Sequence, residues 1–170
     1  MAEPFILYKL IILYMLDKVD FPLANSQISD FILDREYTTY FKLQQALSEL
    51  VEAGFIREER IHSRTIYHLT EDGASTIDYF RNNISHAIQN DIDDYLKEKR
   101  YDLKNEVSVK ADYYRNTNQE YSVRCQVIEN KLPLIDLTIT VPSESEAKLV
   151  TENWQKKNQE IYAQIMAVLL

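Results

Sequence analysis

Three histidines, one cysteine and a few acid pairs are the residues of this chain best suited to do chemistry, and they do not form a working set. His62, His68 and His86 fall on a turn, a strand segment and a helix start, without metal-ligand spacing. A metal site is therefore not expected, and no motif calls for a cofactor. The single Cys125 has no resolving partner and sits on the inward phase of an alternating segment, so it reads as a small buried apolar residue. Asp93-Asp94 and the Glu144/Glu146 pair suit solvated helix faces better than general acid–base work. With 2 glycines the chain has no Gly-rich phosphate loop. Catalytic residues are not expected, and recognition is the chemistry that remains.

The recognition candidates cluster between residues 38 and 64. A helix whose apolar face is Leu43, Ala46, Leu47, Leu50 and Val51 turns Thr38, Phe41, Lys42, Gln45, Ser48, Glu49 and Glu52 outward. Its N-terminal half is neutral to basic and its C-terminal half acidic, which suits entry into a major groove by the N-terminal end. Gln45 can pair with adenine, Lys42 can reach guanine or phosphate, and Phe41 or a threonine methyl can meet a thymine methyl. The same residues also make an ordinary solvated helix face. Arg57, Arg60, His62 and Arg64 follow on or beside a hairpin, with Arg64 at its tip placed for a phosphate or minor-groove contact. Glu58 and Glu59 dilute that positive field.

The elements that must hold these residues are legible from periodicity. Residues 5–17 (FILYKLIILYMLD) form a helix apolar on nearly every side. They lack the basic flank and cleavage site of a signal peptide and are too short to span a bilayer. After a loop with Pro22, Asn25 is placed to cap a short helix carrying Ile28, Phe31 and Ile32. Thr38 or Thr39 caps the helix that ends near Ala53, with Gly54 just past its end. Strands follow at residues 55–61 and 66–69, and Thr70 caps a fourth helix with Ile77, Phe80 and Ile84 on its apolar stripe. A further helix is expected from Ser85 to about Arg100, through Ile88, Ile92, Tyr95 and Leu96. From Val107 the period becomes 2. Val107, Val109, Ala111 and Tyr113, then Tyr121, Val123, Cys125 and Val127, then Ile135, Leu137, Ile139 and Val141 alternate with polar residues. These three runs predict an antiparallel meander with one dry face. A last helix from about Ser145, with Ala147, Val150, Trp154, Ile161, Ile165 and Val168 along one side, is expected to cover it. Tyr113, Tyr121 and Trp154 read as core aromatics rather than as a ligand pocket.

The order helix, helix, helix, strand, turn, strand, helix is that of a winged helix-turn-helix. The segment Leu47-Ser48-Glu49-Leu50-Val51-Glu52-Ala53-Gly54-Phe55-Ile56 resembles the end of the recognition helix in the PadR and MarR regulator families. Tyr67-His68-Leu69-Thr70-Glu71-Asp72-Gly73 resembles the exit from the wing in the same families, with the form Tyr-x-Leu-Thr-x-x-Gly. This resemblance covers roughly residues 5–80. The whole chain also resembles an uncharacterised bacterial family that appends an α+β domain to a winged helix. The expected architecture is α+β: a winged helix-turn-helix domain at 1–82, a connecting helix at 83–104, and a domain at 105–170 made of a three-stranded meander under a long C-terminal helix. The resemblance implies a transcriptional regulator that binds double-stranded DNA, recognised through Thr38, Thr39, Phe41, Lys42, Gln45, Ser48, Arg60, His62 and Arg64.

Charge opposes that reading. The chain carries a net charge of -8, and residues 1–80 hold 7 Lys and Arg against 13 Asp and Glu. DNA-binding domains are usually basic, so the acids have to lie away from the binding face. A winged-helix adaptor that binds protein and not DNA is the competing class. The second domain leaves room for an unknown effector or protein partner. The first helix has more apolar surface than one small domain is expected to bury, and the last helix ends in an apolar run. Phe5, Leu7, Tyr8, Ile12, Ile161, Ile165, Val168 and Leu169 are therefore the expected homodimer interface, the alternative being that the two helices pack on each other within one chain. One cysteine and no targeting segment point to the cytoplasm, with no membrane partner.

Overall fold

The computed structural model of the chain describes residues 4–61 and 64–170. The fold is mixed α+β and divides into two compact units, the first made of the described residues to Arg60 and of Arg64–Val107, the second of Ser108–Leu170 together with Ile61.

The first unit contains α1 (Pro4–Lys18), β1 (Leu23–Ala24), α2 (Asn25–Asp34), α3 (Tyr40–Glu52), β2 (Ile56–Ile61), β3 (Arg64–Leu69), α4 (Glu71–Phe80), a 3₁₀ turn (Arg81–Asn83) and α5 (His86–Ser108). Its sheet has the order β1-β3-β2. Strand β1 lies in the segment expected to be a loop and pairs antiparallel with β3, Leu23 opposite Tyr67 and Ala24 opposite Ile66. Two residues carry no period of their own, so this strand exists only through its partner.

Helix α1 is the centre of the core. Residues 10–16 are all buried, and Ile12 is fully enclosed. This corrects the expectation for Ile12, which has no surface left for a second chain. Ile12 is an internal residue here, and Phe5, Leu7 and Tyr8 are half-buried against the same core. The elements that cover α1 are α3, α4 and β3. Helix α5, expected to stop near Arg100 as a connector over 83–104, continues to Ser108; Ile92 and Leu96 join the first unit's core from the expected part and Leu103 from the extension. Val107 is accordingly a buried helical residue and not the start of a strand, and the second unit begins at Ser108 rather than at 105. Buried Gln27 fastens the far end of α5, donating from Nε2 to the Leu103 carbonyl (3.1 Å) and to the Glu106 carboxylate (2.8 Å).

Polar ties hold the periphery. The Tyr14 hydroxyl donates to Asp93 (2.8 Å) and the Tyr37 hydroxyl to Asp91 (2.6 Å). Burial, with the hydrogen bond to Asp91 adding to it, pushes the Tyr37 phenol up to about 12. Arg35 pairs with Asp91 and stacks over the Phe31 ring at 4.9 Å.

The second unit is β4 (Val109–Arg115), β5 (Tyr121–Glu129), β6 (Leu132–Val141) and α6 (Glu144–Leu169). The strands form an antiparallel sheet of order β4-β5-β6 with Ala111, Cys125 and Leu137 in register. Ser143 caps α6 by accepting from the Glu146 amide, and the Glu146 carboxylate accepts from the Ser143 amide (3.2 Å), a reciprocal capping box. The core is small: Val109, Ala111, Val123, Cys125, Ala147 and Trp154. Trp154 donates its indole N–H to the Gln126 carbonyl (3.1 Å), fixing the helix on the sheet. Burial pushes the Cys125 thiol up to about 11, so it stays protonated near neutrality.

Candidate nucleic-acid interface

Helix α3 begins where Thr39 leaves the extended region and its hydroxyl accepts from the Lys42 amide (3.3 Å). It ends in a Schellman motif. Gly54, at φ +81°, donates to the Val51 carbonyl, and Phe55 donates to that of Leu50, both at 3.0 Å. Leu43, Ala46, Leu47 and Leu50 are buried, while Thr39, Phe41, Lys42, Gln45 and Ser48 are exposed. The structure thus brings five of the expected contact residues onto one outer face. Thr38 departs from them: its hydroxyl oxygen is buried, because it precedes the cap and turns inward. Tyr40, not among the expected contact residues, is 58% exposed beside Phe41 at 77%. Its position at the helix start gave no periodic signal.

The tilt of α3 on α2 is set by a reciprocal amide pair. Asn25 Nδ2 donates to Gln44 Oε1 (2.8 Å), and Gln44 Nε2 donates to Asn25 Oδ1 (3.0 Å). Tyr67 from β3 and Ser29 complete the cluster. Asn25 is therefore the first residue of α2 and not its cap. The cap position is Ala24, whose amide is taken by the Gln27 side chain (2.9 Å). The sequence signal for this cluster was present, since Asn25 and Gln44 both stand beside apolar positions, but a cap accounted for Asn25 more simply.

Below α3, one junction closes the β2–β3 hairpin. The Thr70 hydroxyl donates to the Gly54 carbonyl (2.7 Å) and accepts from the Gly73 amide (3.1 Å), which caps α4. A Cβ at Gly73 would overlap the Phe55 carbonyl oxygen. The segments at Gly54-Phe55 and at Thr70 to Gly73 thus meet in one joint. Beyond α4, Ile84 is buried as expected, while Phe80 is 40% exposed because the helix ends there.

The hairpin itself differs from expectation. Arg64 does not stand at a free tip. It is the first residue of β3, and its guanidinium donates to the Glu106 carbonyl at the end of α5 (2.7 Å). Desolvation lowers its pKa, opposed by Glu106 and Glu59. Arg60 remains largely exposed and pairs with Glu58 (3.0 Å), and Arg57 is exposed on the same strand. The expected contact at His62 lies outside the described residues.

Most of the acids that troubled the charge balance are engaged. Glu49 pairs with Lys9 (3.2 Å), Glu58 with Arg60 and Glu59 with His68 (2.7 Å), while Glu52 is exposed at the far end of α3. The cationic stretch of the α3 surface is its first turn and a half, around Lys42. Among the described residues no three His, Cys, Asp or Glu side chains gather as a metal site, and no helix is long and apolar enough to cross a membrane.

No curated protein and no solved structure matches this chain. A model of a domain of unknown function, DUF4364, matches residues 8–169, and the chain belongs to that family.

Proposed function

We propose that the first unit is a winged helix-turn-helix and that the protein is a sequence-specific transcriptional regulator, binding double-stranded DNA as a cytoplasmic dimer. In this reading α3 is the recognition helix and β2–β3 the wing. The element order and the β1-β3-β2 sheet support it. The observation that carries it is the outer face of α3: Thr39, Phe41, Lys42, Gln45 and Ser48 stand exposed together, while Glu49 and Glu58 beside them are held in ion pairs and Glu59 lies against the His68 ring. Gln45 reads a base edge, Phe41 packs on a thymine methyl, and Lys42 takes a phosphate.

Selection of duplexes from a random pool, followed by gel shifts at low and moderate salt, tests this. An enriched motif is expected. Gln45→Ala relaxes preference at one base pair, worth about 1–3 kcal/mol, whereas Lys42→Ala weakens all sequences alike. No enrichment and no shift at low salt overturns the proposal. A second reading, docking of a protein partner on this face, draws on the exposed Tyr40 and Phe41 and on the net charge of -8. Its signature is a partner captured through Tyr40 and Phe41 with no DNA shift.

A further inference from the structure

The apolar layer of the second unit is not closed. At one level of the sheet Ala111 is 6% exposed and Cys125 1%, but Leu137 on β6 is only half-buried. At the next level Val123 is fully buried, whereas Ile139 is 45% exposed. Leu132 and Leu134 on the same strand are 70% and 50% exposed. Helix α6 lies mainly over β4 and β5; Ile135, Leu137 and Val141 of β6 pack against the same core but stay half-buried, and cover is lost at Ile139, on the outer strand in the order β4-β5-β6. The strand has ten residues, about 34 Å at ~3.4 Å per residue, with one edge unpaired among the described residues. Long apolar edges are normally blunted by charge, a bulge or a covering element. Here Pro133 and a register shift opposite it sit at one end, and residues 135–141 run on without interruption.

We infer that β6 is the docking edge for a second copy of this chain, pairing antiparallel with its own counterpart to join two three-stranded sheets into one of six strands. The occupant follows from the strand's polarity. An antiparallel self-pairing centred on Leu137 sets Ile135 opposite the partner's Ile139, Leu137 opposite the partner's Leu137, and Asp136 opposite the partner's Thr138. Apolar residues meet apolar residues, and the strand's one carboxylate does not meet its own copy. That carboxylate is also already compensated, since Arg124 donates two hydrogen bonds to Asp136 (3.0 and 2.8 Å). The pairing supplies the two-fold axis of the dimeric reading above, but it rests on the second unit alone and holds or fails without DNA.

Thr138 tests the register. Within one chain it lies across from Arg124, so Thr138→Asp is favourable there and Thr138→Lys unfavourable. Across the inferred axis the signs reverse, because the residue faces the partner's Asp136. Sedimentation equilibrium of the full chain, without DNA, is expected to give twice the chain mass of 20.1 kDa at tens of micromolar. Thr138→Asp then weakens the dimer roughly tenfold, like charges meeting twice, and Thr138→Lys preserves or tightens it at low salt. Amide exchange of β6, measured across the same concentrations, becomes slower as the dimer forms. A monomer at those concentrations overturns the inference. So does a dimer indifferent to both Thr138 changes with concentration-independent β6 exchange, or one broken instead by Val168→Asp with Leu169→Asp at the end of α6.

Discussion

Helices α1 and α6 are both rich in apolar residues, and the chain treats them in opposite ways. In α1, residues 10–16 are buried on every side of the helix. In α6, burial returns only every third or fourth residue, at Ala147, Thr151, Trp154 and Asn158, and Val168, Leu169 and Leu170 are 84%, 73% and 95% exposed. What separates them is the number of elements packed around each. In the first unit residues from α2, α3, α4, α5 and the sheet join α1 in one core, whereas α6 has a single sheet on one side. Apolar composition states how much surface wants cover; the count of neighbours decides whether it is found within the chain.

The sharpest way to break this comparison is to remove one anchor from each core. Trp154→Ala takes away the largest side chain of the small second core and the hydrogen bond to Gln126, a loss of about 3–5 kcal/mol. Amide exchange should quicken through β4 and β5. Unchanged protection there would mean that α6 is not their cover. Ile12→Ala, at a fully enclosed site in the larger core, costs about 2–5 kcal/mol by urea denaturation. A change under about 1 kcal/mol would place Ile12 outside any core and restore α1 as a surface.

The two glycines give the next largest effects, and they differ in kind. Gly73→Ala drives a Cβ into the Phe55 carbonyl and forces the joint at the base of the hairpin to move, at about 1–3 kcal/mol or more. Gly54 has open space around it, so Gly54→Ala meets only the left-handed backbone at φ +81° and costs about 1 kcal/mol. Chemical denaturation of the two variants should rank them in that order, and a reversal would remove the close approach of α4 to Phe55 as a structural requirement.

The legible parts of this fold were those written in local chemistry. Thr39, Thr70 and Gly54 marked helix ends to within a residue, and strict alternation gave the meander over β4, β5 and β6. The end of α5 is hidden in the sequence because Val107 fits two periods at once: four residues after Leu103 on a helix and two before Val109 on a strand. Strand β1 is too short to have a period. The turn of Arg64 toward Glu106 depends on where α5 ends, 42 positions away, and no local pattern carries that. For the candidate interface, the exposed row on α3 was readable from a helical wheel. The Asn25–Gln44 pair and the pairing of Glu49, Glu58 and Glu59 were not, since each joins elements distant in sequence or across a hairpin.

The smallest effect tests the other half of the comparison. Val168 and Leu169 lie on the last turn of α6 and are mostly in water, so folding transfers little of their surface. Val168→Ser and Leu169→Ser should each alter the stability of the isolated chain by less than about 0.5 kcal/mol, the range of surface changes. Urea denaturation at low protein concentration measures this, with Ile12→Ala as the internal contrast. The dimer constant should also stay where it was, because the inferred edge at β6 does not involve these side chains. A loss near 1.5 kcal/mol or above would show that the end of α6 is buried after all, by the approximate value of a fully covered aliphatic side chain. Its concentration dependence would then say by what: a loss independent of concentration means cover from the same chain, and a loss that grows with concentration means cover from a second copy.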